Sequence, residues 1–232
     1  MSAWPSESAA QRSAPGEGVP APVRSSAKQE MVLLDDAAAG AALLVLSSAL
    51  AQALKRNLGL VFVESSRSLA AAALPFTQVL PHSGAGWVPL STEDVEQGFR
   101  AHAARLRELA ARIVPQRRVD WSLRVVRGNL DAMAANFYAE SDLLLLPALR
   151  NVASPRSPPK RRTVVAVARD GDPSALQAQD VATTLAGALD GVLETLQESG
   201  LERAHADVLV VPRLLLSPRL LAERRCPLLL VG

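Results

Sequence analysis

Residues 30–64 read EMVLLDDAAAGAALLVLSSALAQALKRNLGLVFVE, and this stretch decides the fold. The opening EMVLLDD predicts a short apolar strand that ends on two aspartates. A helix is predicted from Ala41 to Leu58, because leucines and alanines recur near one face and a basic last turn precedes a glycine. Residues 60–64, LVFVE, have the length and composition of a second strand. The stretch therefore predicts a β-α-β unit whose two strands run parallel.

Strand and helix patterns alternate along the rest of the chain. Apolar runs of strand length cover residues 121–128, 142–147, 163–173, 207–212 and 227–232, with a possible strand at 190–196. Helical patterns cover residues 91–113, 130–139, 174–189 and part of 215–226. The first of these helices opens with the capping sequence STED at Ser91. Residues 65–90, which contain several prolines and the sequence SGAG, predict a long irregular loop with room for a short helical turn.

Composition and charge favour an α/β protein without a nucleic-acid or membrane partner. The 232 residues are 49% hydrophobic and 3% aromatic, so we expect an aliphatic core on helices and parallel strands. The 25 basic and 23 acidic residues leave a formal charge of +2, which predicts no general nucleic-acid binding. The N-terminus has no apolar signal region, no apolar run is long enough to span a bilayer, and the single cysteine fits a reducing compartment. We therefore expect a soluble cytoplasmic protein.

Two recurring sub-patterns indicate a duplicated arrangement. Residues 30–54 and 163–189 each combine a strand, an acidic turn and a long helix rich in Ala and Leu. SDLLLLPALR at 141–150 and ADVLVVPRLL at 206–215 each place an acidic residue before a strand that a proline closes. The predicted organisation is a disordered tail over 1–29, an α/β unit over 30–148, a Pro-rich basic linker over 149–162 and a shortened second α/β unit over 163–232.

The order of these elements resembles the universal stress protein family. The matching pieces are VLLDD with Asp35, the helix from Ala41, LVFVES, the helix from Ser91, RVVRGNL with Gly128, and SDLLLLP. The closing ERRCPLLLVG is similar to that family's last strand, where a Cys-Pro pair precedes an apolar run. The resemblance covers residues 30–232 as a tandem arrangement with a shortened second copy. It implies an α/β fold with an open, mostly parallel sheet flanked by helices, similar to adenine-nucleotide α-hydrolase folds.

The resemblance also implies where a ligand would bind. In such sheets ligands bind beyond the carboxyl ends of the strands, where the strand order reverses, and Asp35, Asp36 and Gly128 would converge there. Some family members bind ATP through an aspartate after the first strand and a glycine-rich loop after the fourth. PALRNVASPRSPPKRR at 147–162 takes the place of that loop, but it has no glycine and its prolines lack N–H donors. The corresponding RLLLSPRLL at 213–221 also lacks glycine, so we expect degenerate nucleotide loops.

Two functional hypotheses follow from this pattern. The first is a non-catalytic universal-stress-like protein, without a cofactor, that acts in stress response or regulation through protein contacts, as a homodimer or with a protein partner. The alternative is an adenine-nucleotide (ATP or AMP) binding regulator, in which the side chains of Asp35, Asp36, Arg150 and Ser154 hold the ligand beside Gly128 without a glycine-rich loop. An enzyme is not expected, because no Ser, His and acid trio and no metal pattern stands at a recognisable spacing.

Four further features each have two interpretations. His102 lies on the apolar side of its predicted helix, as a boundary residue or as a ligand. RDGDP at 169–173 is a turn that starts a helix, or a metal loop. Cys226 beside two arginines is an inert buried thiol, or a reactive one. The basic residues of 150–162 form a solvated linker, or a docking patch for an acidic partner or nucleic acid.

Overall fold

Strands and helices alternate in the computed structural model, which describes residues 29–35, 37–81, 84, 86–137, 141–149, 163–168, 172–203 and 206–232. The strands are β1 (Gln29–Leu34), β2 (Asn57–Ser65), β3 (Gln78–Val79), β4 (Val88–Pro89), β5 (Trp121–Gly128), β6 (Leu143–Leu146), β7 (Thr163–Ala168), β8 (Val192–Gln197), β9 (Val208–Pro212) and β10 (Leu228–Val231). The helices are α1 (Ala37–Leu54), α2 (Ser66–Ala72), α3 (Thr92–Ile113), α4 (Leu130–Phe137), α5 (Pro173–Ala188) and α6 (Pro218–Glu223).

Eight strands form one sheet in the order β5-β2-β1-β6-β10-β9-β7-β8. Every neighbouring pair is parallel except β6 and β10, which pair antiparallel with Leu145 opposite Leu229. The sheet therefore consists of two parallel four-stranded blocks that run in opposite directions and meet at β6 and β10. We call these the first block (β5, β2, β1, β6) and the second block (β10, β9, β7, β8). This sheet confirms the predicted α/β class with an open, mostly parallel sheet flanked by helices.

Helices cover both faces of the sheet, and each face has its own apolar core. Helices α1, α3 and α5 pack on one face, where Leu44, Leu106 and Ala178 are completely buried. Helices α4 and α6 pack on the other face through Phe137 and Leu220. The strands β6, β9 and β10 are buried at every residue, which explains why their sequences are continuous apolar runs rather than alternating ones.

The end of α1 differs from the prediction. The sequence predicted a helix from Ala41 to Leu58, whereas α1 ends at Leu54 and Lys55 takes a left-handed backbone conformation with φ of 53°. Leu58 belongs to β2 and is buried, because that strand lies between β1 and β5. Periodicity alone does not distinguish an apolar residue in a last helical turn from one in the next buried strand.

The segment 65–90 is more regular than predicted. Ser65 caps the short helix α2, and β3 and β4 form an antiparallel two-stranded hairpin. Thr77 ties the hairpin to α2, because its hydroxyl donates to the carbonyl of Ala71 at 2.7 Å and its own carbonyl accepts from the N–H of Leu90 at 3.0 Å. The short helix fits the predicted helical turn, but the expectation of an otherwise irregular loop was wrong because the sequence did not predict the hairpin. Its proline at position 89 is compatible with a strand because β4 has only two residues and one neighbour.

The predicted start of α3 is confirmed. The hydroxyl of Ser91 accepts from the N–H of Asp94 at 3.1 Å, and the Asp94 carboxylate accepts from the N–H of Ser91 at 3.1 Å. The Ser91 hydroxyl also donates to the Asp94 carboxylate, and this bond, together with the one from the Ser91 N–H, holds the pKa of Asp94 below its ordinary value. The apolar side of α3 then packs over β2, with the ring of Phe99 edge-on to Phe62 at 6.4 Å between centroids.

Candidate functional site

The predicted ligand residues that the structure describes lie along the carboxyl edge of the first block. Asp35 directly follows β1 and is half-buried, and Gly128 ends β5. Strand β2 lies between these strands, and its last residue, Ser65, is opposite Gly128, whereas β1 ends opposite Phe62. Two strand spacings and a two-residue offset therefore separate Asp35 from Gly128, which is about 12 Å between Cα atoms. Only an extended ligand, of nucleotide size, would contact both.

The space beside Gly128 is taken by Met133. A Cβ atom at Gly128 would lie 2.7 Å from the terminal methyl carbon of Met133 in α4. Asn129 holds this end of α4 in place, because its side-chain oxygen accepts from the N–H of Asp131 at 2.9 Å and its carbonyl accepts from the N–H of Met133 at 2.8 Å. The glycine at this position therefore lets α4 pack closely against the end of β5.

A buried arginine from the second block occupies the edge just beyond β6. Arg224 is 5% exposed, and its Nε donates to the carbonyl of Pro147 at 2.7 Å. Its Nη1 donates to the carboxylate of Asp131 at 2.9 Å and to the carbonyl of Leu221. In return, the N–H of Leu149 donates to the carbonyl of Arg224 at 3.2 Å. The backbone after β6, where the family resemblance puts a phosphate loop, is thus hydrogen-bonded to the segment before β10.

Several predicted residues lie outside the described part of the chain. They are Asp36, Arg150 and Ser154, together with the tail over 1–28 and the basic residues of 150–162. Of the acidic turn at 169–173, the structure describes Asp172 and Pro173. The carboxylate of Asp172 accepts from the N–H of Ser174 at 2.9 Å, and Pro173 is the first residue of α5. This part of the turn starts a helix, which is the first of its two interpretations.

The described residues contain neither a metal cluster nor a membrane-spanning helix. No group of three or more His, Cys, Asp or Glu side chains among them is placed to hold a metal ion. No helix in the described ranges is both long and apolar enough to cross a bilayer. His102 is partly buried, with its ring centroid 6.5 Å from that of Phe62. It lies at the boundary between the core and the surface of α3.

Cys226 is buried in the segment that joins Arg224 to β10. Its side chain is 6% exposed, just before β10. Burial raises the pKa of the Cys226 thiol to about 11, with a smaller raising effect from the charge of Asp207 and a lowering effect from a hydrogen bond with the backbone of Ala206. The guanidinium of the neighbouring Arg224 is directed to Asp131 instead. This environment corresponds to the inert interpretation of the thiol.

We expect Cys226 to react with a thiol reagent such as DTNB at least ~100-fold more slowly in the native protein than in urea, because burial limits both access and the thiolate fraction. The rate is measured from the absorbance of released thionitrobenzoate at pH 8. The urea-unfolded protein is the control, since it contains the same single thiol. Similar rates in the two states would contradict the buried, protonated thiol.

Sequence reasoning missed an exposed apolar surface on and beside the β3–β4 hairpin. We call it the hairpin surface; its large side chains are 38% to 77% exposed and are Leu74, Phe76, Val79, Leu80, Trp87 and Val88. The signal was present in the sequence, because these apolar residues stand among prolines within 74–90. The prolines and glycines predicted only a loop, and exposure of this many neighbouring apolar side chains is a property of the folded chain.

Comparison with known proteins finds similarity in structure but none in sequence. No protein-family model matches the sequence, and no curated protein matches it. Among solved structures, the crystal structure of a universal stress protein from Archaeoglobus fulgidus DSM 4304 matches with a TM-score of 0.44 and 8% sequence identity. The match covers 89% of this chain and 99% of that chain.

Proposed function

We propose that the protein is a non-catalytic, universal-stress-like protein that acts in stress response or regulation by binding another protein. The observation that carries this proposal is the hairpin surface. Phe76 and Trp87 are 77% and 67% exposed, so most of their area remains to be buried by a partner. Fully burying one large apolar side chain contributes about 1.5–3 kcal/mol, and tryptophan is enriched among the residues that dominate binding energies.

The hairpin surface is also held in an ordered conformation before any partner binds. The register of β3 and β4 places Val79 opposite Val88, the hydroxyl of Thr77 attaches the hairpin to α2, and the bond between Thr77 and Leu90 closes its open end. An ordered surface loses little conformational entropy on association, so more of the apolar contact energy is available for binding. A loose loop with the same residues would bind more weakly.

The contacts at the carboxyl edge of the first block also support a protein-binding role over a nucleotide-binding one. The carbonyl of Pro147 and the N–H of Leu149 are bonded to Arg224, so these backbone groups are occupied within the chain. Met133 fills the space beside Gly128, where the family resemblance implies that a ligand would approach. The alternative, an adenine-nucleotide binding regulator, would have to displace these contacts or use other groups of the edge.

A double variant of the hairpin surface, Phe76→Ser with Trp87→Ser, is expected to lose the proteins that the immobilised wild-type chain retains from an extract of its source cells. Both side chains are mostly exposed to water, so the free energy of unfolding of the variant should differ from that of the wild type by no more than about 0.5 kcal/mol. Leu214→Ser is the matched control, because Leu214 is 74% exposed in the second block, outside the hairpin. Quantitative mass spectrometry compares the three sets of retained proteins.

Retention of the same proteins by the double variant would contradict the role of the hairpin surface. The nucleotide alternative is tested separately by calorimetry with ATP and AMP on the purified chain. We expect no stoichiometric binding of either nucleotide. Tight one-to-one binding would overturn the proposal in favour of the nucleotide-binding regulator, and Asp35→Ala would then show whether the carboxyl edge of the first block holds the ligand.

A further inference from the structure

The eight-stranded sheet has two edges that differ in charge. Strand β5 ends the sheet on one side and β8 on the other, and no described strand pairs with the outer edge of either. β5 contains Arg124 and Arg127, and Arg127 is paired within the chain with Glu64 at 3.2 Å and Glu96 at 3.3 Å. Residues 187–200, which include β8, contain three acidic residues and no basic one. Arg124 on β5 and Glu194 on β8 therefore place opposite charges at the two edges.

Strand β8 lacks several of the features that usually protect an edge strand. Its pairing with β7 is continuous from Val192 opposite Thr163 to Gln197 opposite Ala168, without a bulge. Its sequence, VLETLQ, contains neither proline nor lysine. Val192 and Leu193 are 40% and 37% exposed, whereas β2 of the first block is buried along most of its length because β5 covers its outer edge. β8 thus presents an open, partly apolar edge.

We propose that the β8 edge binds the β5 edge of a second copy of this chain, so that copies associate head to tail and extend the sheet. Within the eight-stranded sheet, β6 and β10 are the only neighbours that pair antiparallel, so β5 and β8 run in opposite directions. A second copy placed alongside, with its helices on the same faces, presents β5 antiparallel to β8. The chain already joins its own two blocks by antiparallel edge pairing of this kind.

One register matches both the charged and the apolar side chains. It places Glu194 opposite Arg124 of the second copy, and Leu193 opposite Val125 of the second copy. Leu193 and Val125 lie on the face that carries α1, α3 and α5, and Glu194 and Arg124 lie on the other face, so each pair meets on one side of the sheet. Opposite charges and apolar side chains that face each other across antiparallel strands stabilise the pairing.

Arg124 is held in a suitable position for this contact. The carbon at the centre of its guanidinium lies 4.7 Å from the ring centroid of Phe137, so the group is stacked on the aromatic face. A guanidinium has five N–H donors in one plane, so it donates to a carboxylate of a second copy in addition to any contact within its own chain. The adjacent Val125 is 42% exposed, close to the 37% of Leu193, so both members of the apolar pair gain burial on association.

Exchange of the charged pair tests this interface. In sedimentation experiments the weight-average mass of the wild type is expected to rise with concentration above the 24.5 kDa of one chain. Glu194→Arg and Arg124→Glu each place like charges opposite one another, and each should weaken association at least ~10-fold. The double variant, with both substitutions, restores opposite charges and should associate like the wild type.

Mixing the two single variants distinguishes a head-to-tail interface from a two-fold symmetric one. The Arg124→Glu variant keeps Glu194 on β8, and the Glu194→Arg variant keeps Arg124 on β5. Each variant alone should associate at least ~10-fold more weakly than the wild type, whereas an equimolar mixture should regain wild-type association and form species larger than two chains, because both interfaces between unlike variants pair opposite charges. Circular dichroism of each variant confirms that the fold is retained.

The Phe76→Ser, Trp87→Ser variant serves as the control for the hairpin surface and is expected to associate like the wild type. Loss of association in that variant would place the interface on the hairpin and overturn the proposal. The proposal is also overturned if the wild type stays monomeric up to several hundred micromolar. Equal association of wild type and single variants, or a mixture that forms no complex, would have the same consequence.

Discussion

Glu30→Leu is expected to raise the free energy of unfolding by about 1–3 kcal/mol at pH 7. Glu30 lies in β1 between Leu58 and Leu143, is 0% exposed, and neither carboxyl oxygen has a hydrogen-bond partner among the described residues. Burial raises the pKa of Glu30 well above its ordinary value, and the positive charge of Arg56 offsets this only in part. Leucine has a similar size and removes the unsatisfied oxygens. Urea unfolding followed by circular dichroism measures the change.

The direction of the pKa shift also predicts how this effect depends on pH. Above the unfolded-state pKa, near 4.5, the folded wild type still holds the Glu30 proton that the unfolded chain has released. The stability of the wild type therefore falls as pH rises toward the raised folded-state pKa. Glu30→Gln removes this titration, so its advantage over the wild type should grow from pH 4.5 upward and level off above the folded-state pKa.

Glu108→Gln is the matched control for this series, because it makes the same chemical change at an exposed position of α3. Its unfolding free energy should follow that of the wild type across the pH range. If the unfolding free energies of Glu30→Gln and the wild type differed by a constant amount from pH 4.5 to about pH 8, the buried carboxyl would not be the titrating group. That result would contradict the predicted linkage between Glu30 and stability.

Arg224→Met is expected to lower the free energy of unfolding by about 2–3 kcal/mol, because it removes charge-assisted hydrogen bonds and leaves a buried carbonyl unsatisfied. The guanidinium joins the carbonyl of Pro147 to the carboxylate of Asp131, and so connects the second block to the first. Methionine keeps the apolar stem and loses the donors. Thermal and urea unfolding of the variant measure the loss, and the two blocks should still unfold in one transition because β6 and β10 pair directly.

Arg219→Met is the control, since Arg219 lies on the same short helix segment but is exposed and pairs with Glu223 at 3.3 Å. Its effect should stay within about 0.5 kcal/mol. A double-mutant cycle of Arg224→Met with Asp131→Asn should give a coupling below about 1 kcal/mol, because the Asp131 side chain is 46% exposed and its charge is solvated after the loss of its partner. Equal effects of Arg224→Met and Arg219→Met would show that the buried network contributes nothing.

Much of the fold followed from the sequence, and the errors have specific causes. The strand at 142–147 and the capped helix from Ser91 were predicted because a continuous apolar run and a capping sequence are strong local signals. The end of α1 was placed too late because Leu58 fits a helical stripe and a buried strand equally well. The hairpin within 65–90 was missed because prolines usually interrupt strands, and these short strands tolerate one.

The candidate site was less predictable than the fold. The sequence placed Asp35 and Gly128 at strand ends, which the structure confirms, but not the β2 strand that separates them. It gave no indication that Arg224 would reach the first block, because the residues it contacts, Pro147 and Asp131, lie 77 and 93 positions away in the chain. Such contacts depend on how the blocks meet, and short-range patterns carry no information about that.

By itself, then, the sequence determined the class of the fold, most of its strands and helices, an aliphatic core and the lack of glycine after β6, since each depends on local composition and periodicity. Only the tertiary structure decided the antiparallel junction of β6 and β10, the burial of Glu30, the position of Arg224 beyond β6, and which apolar side chains stay exposed. These features arise from packing between residues far apart in the chain. Whether a given leucine or arginine is buried or exposed depends on the neighbours that the fold places around it.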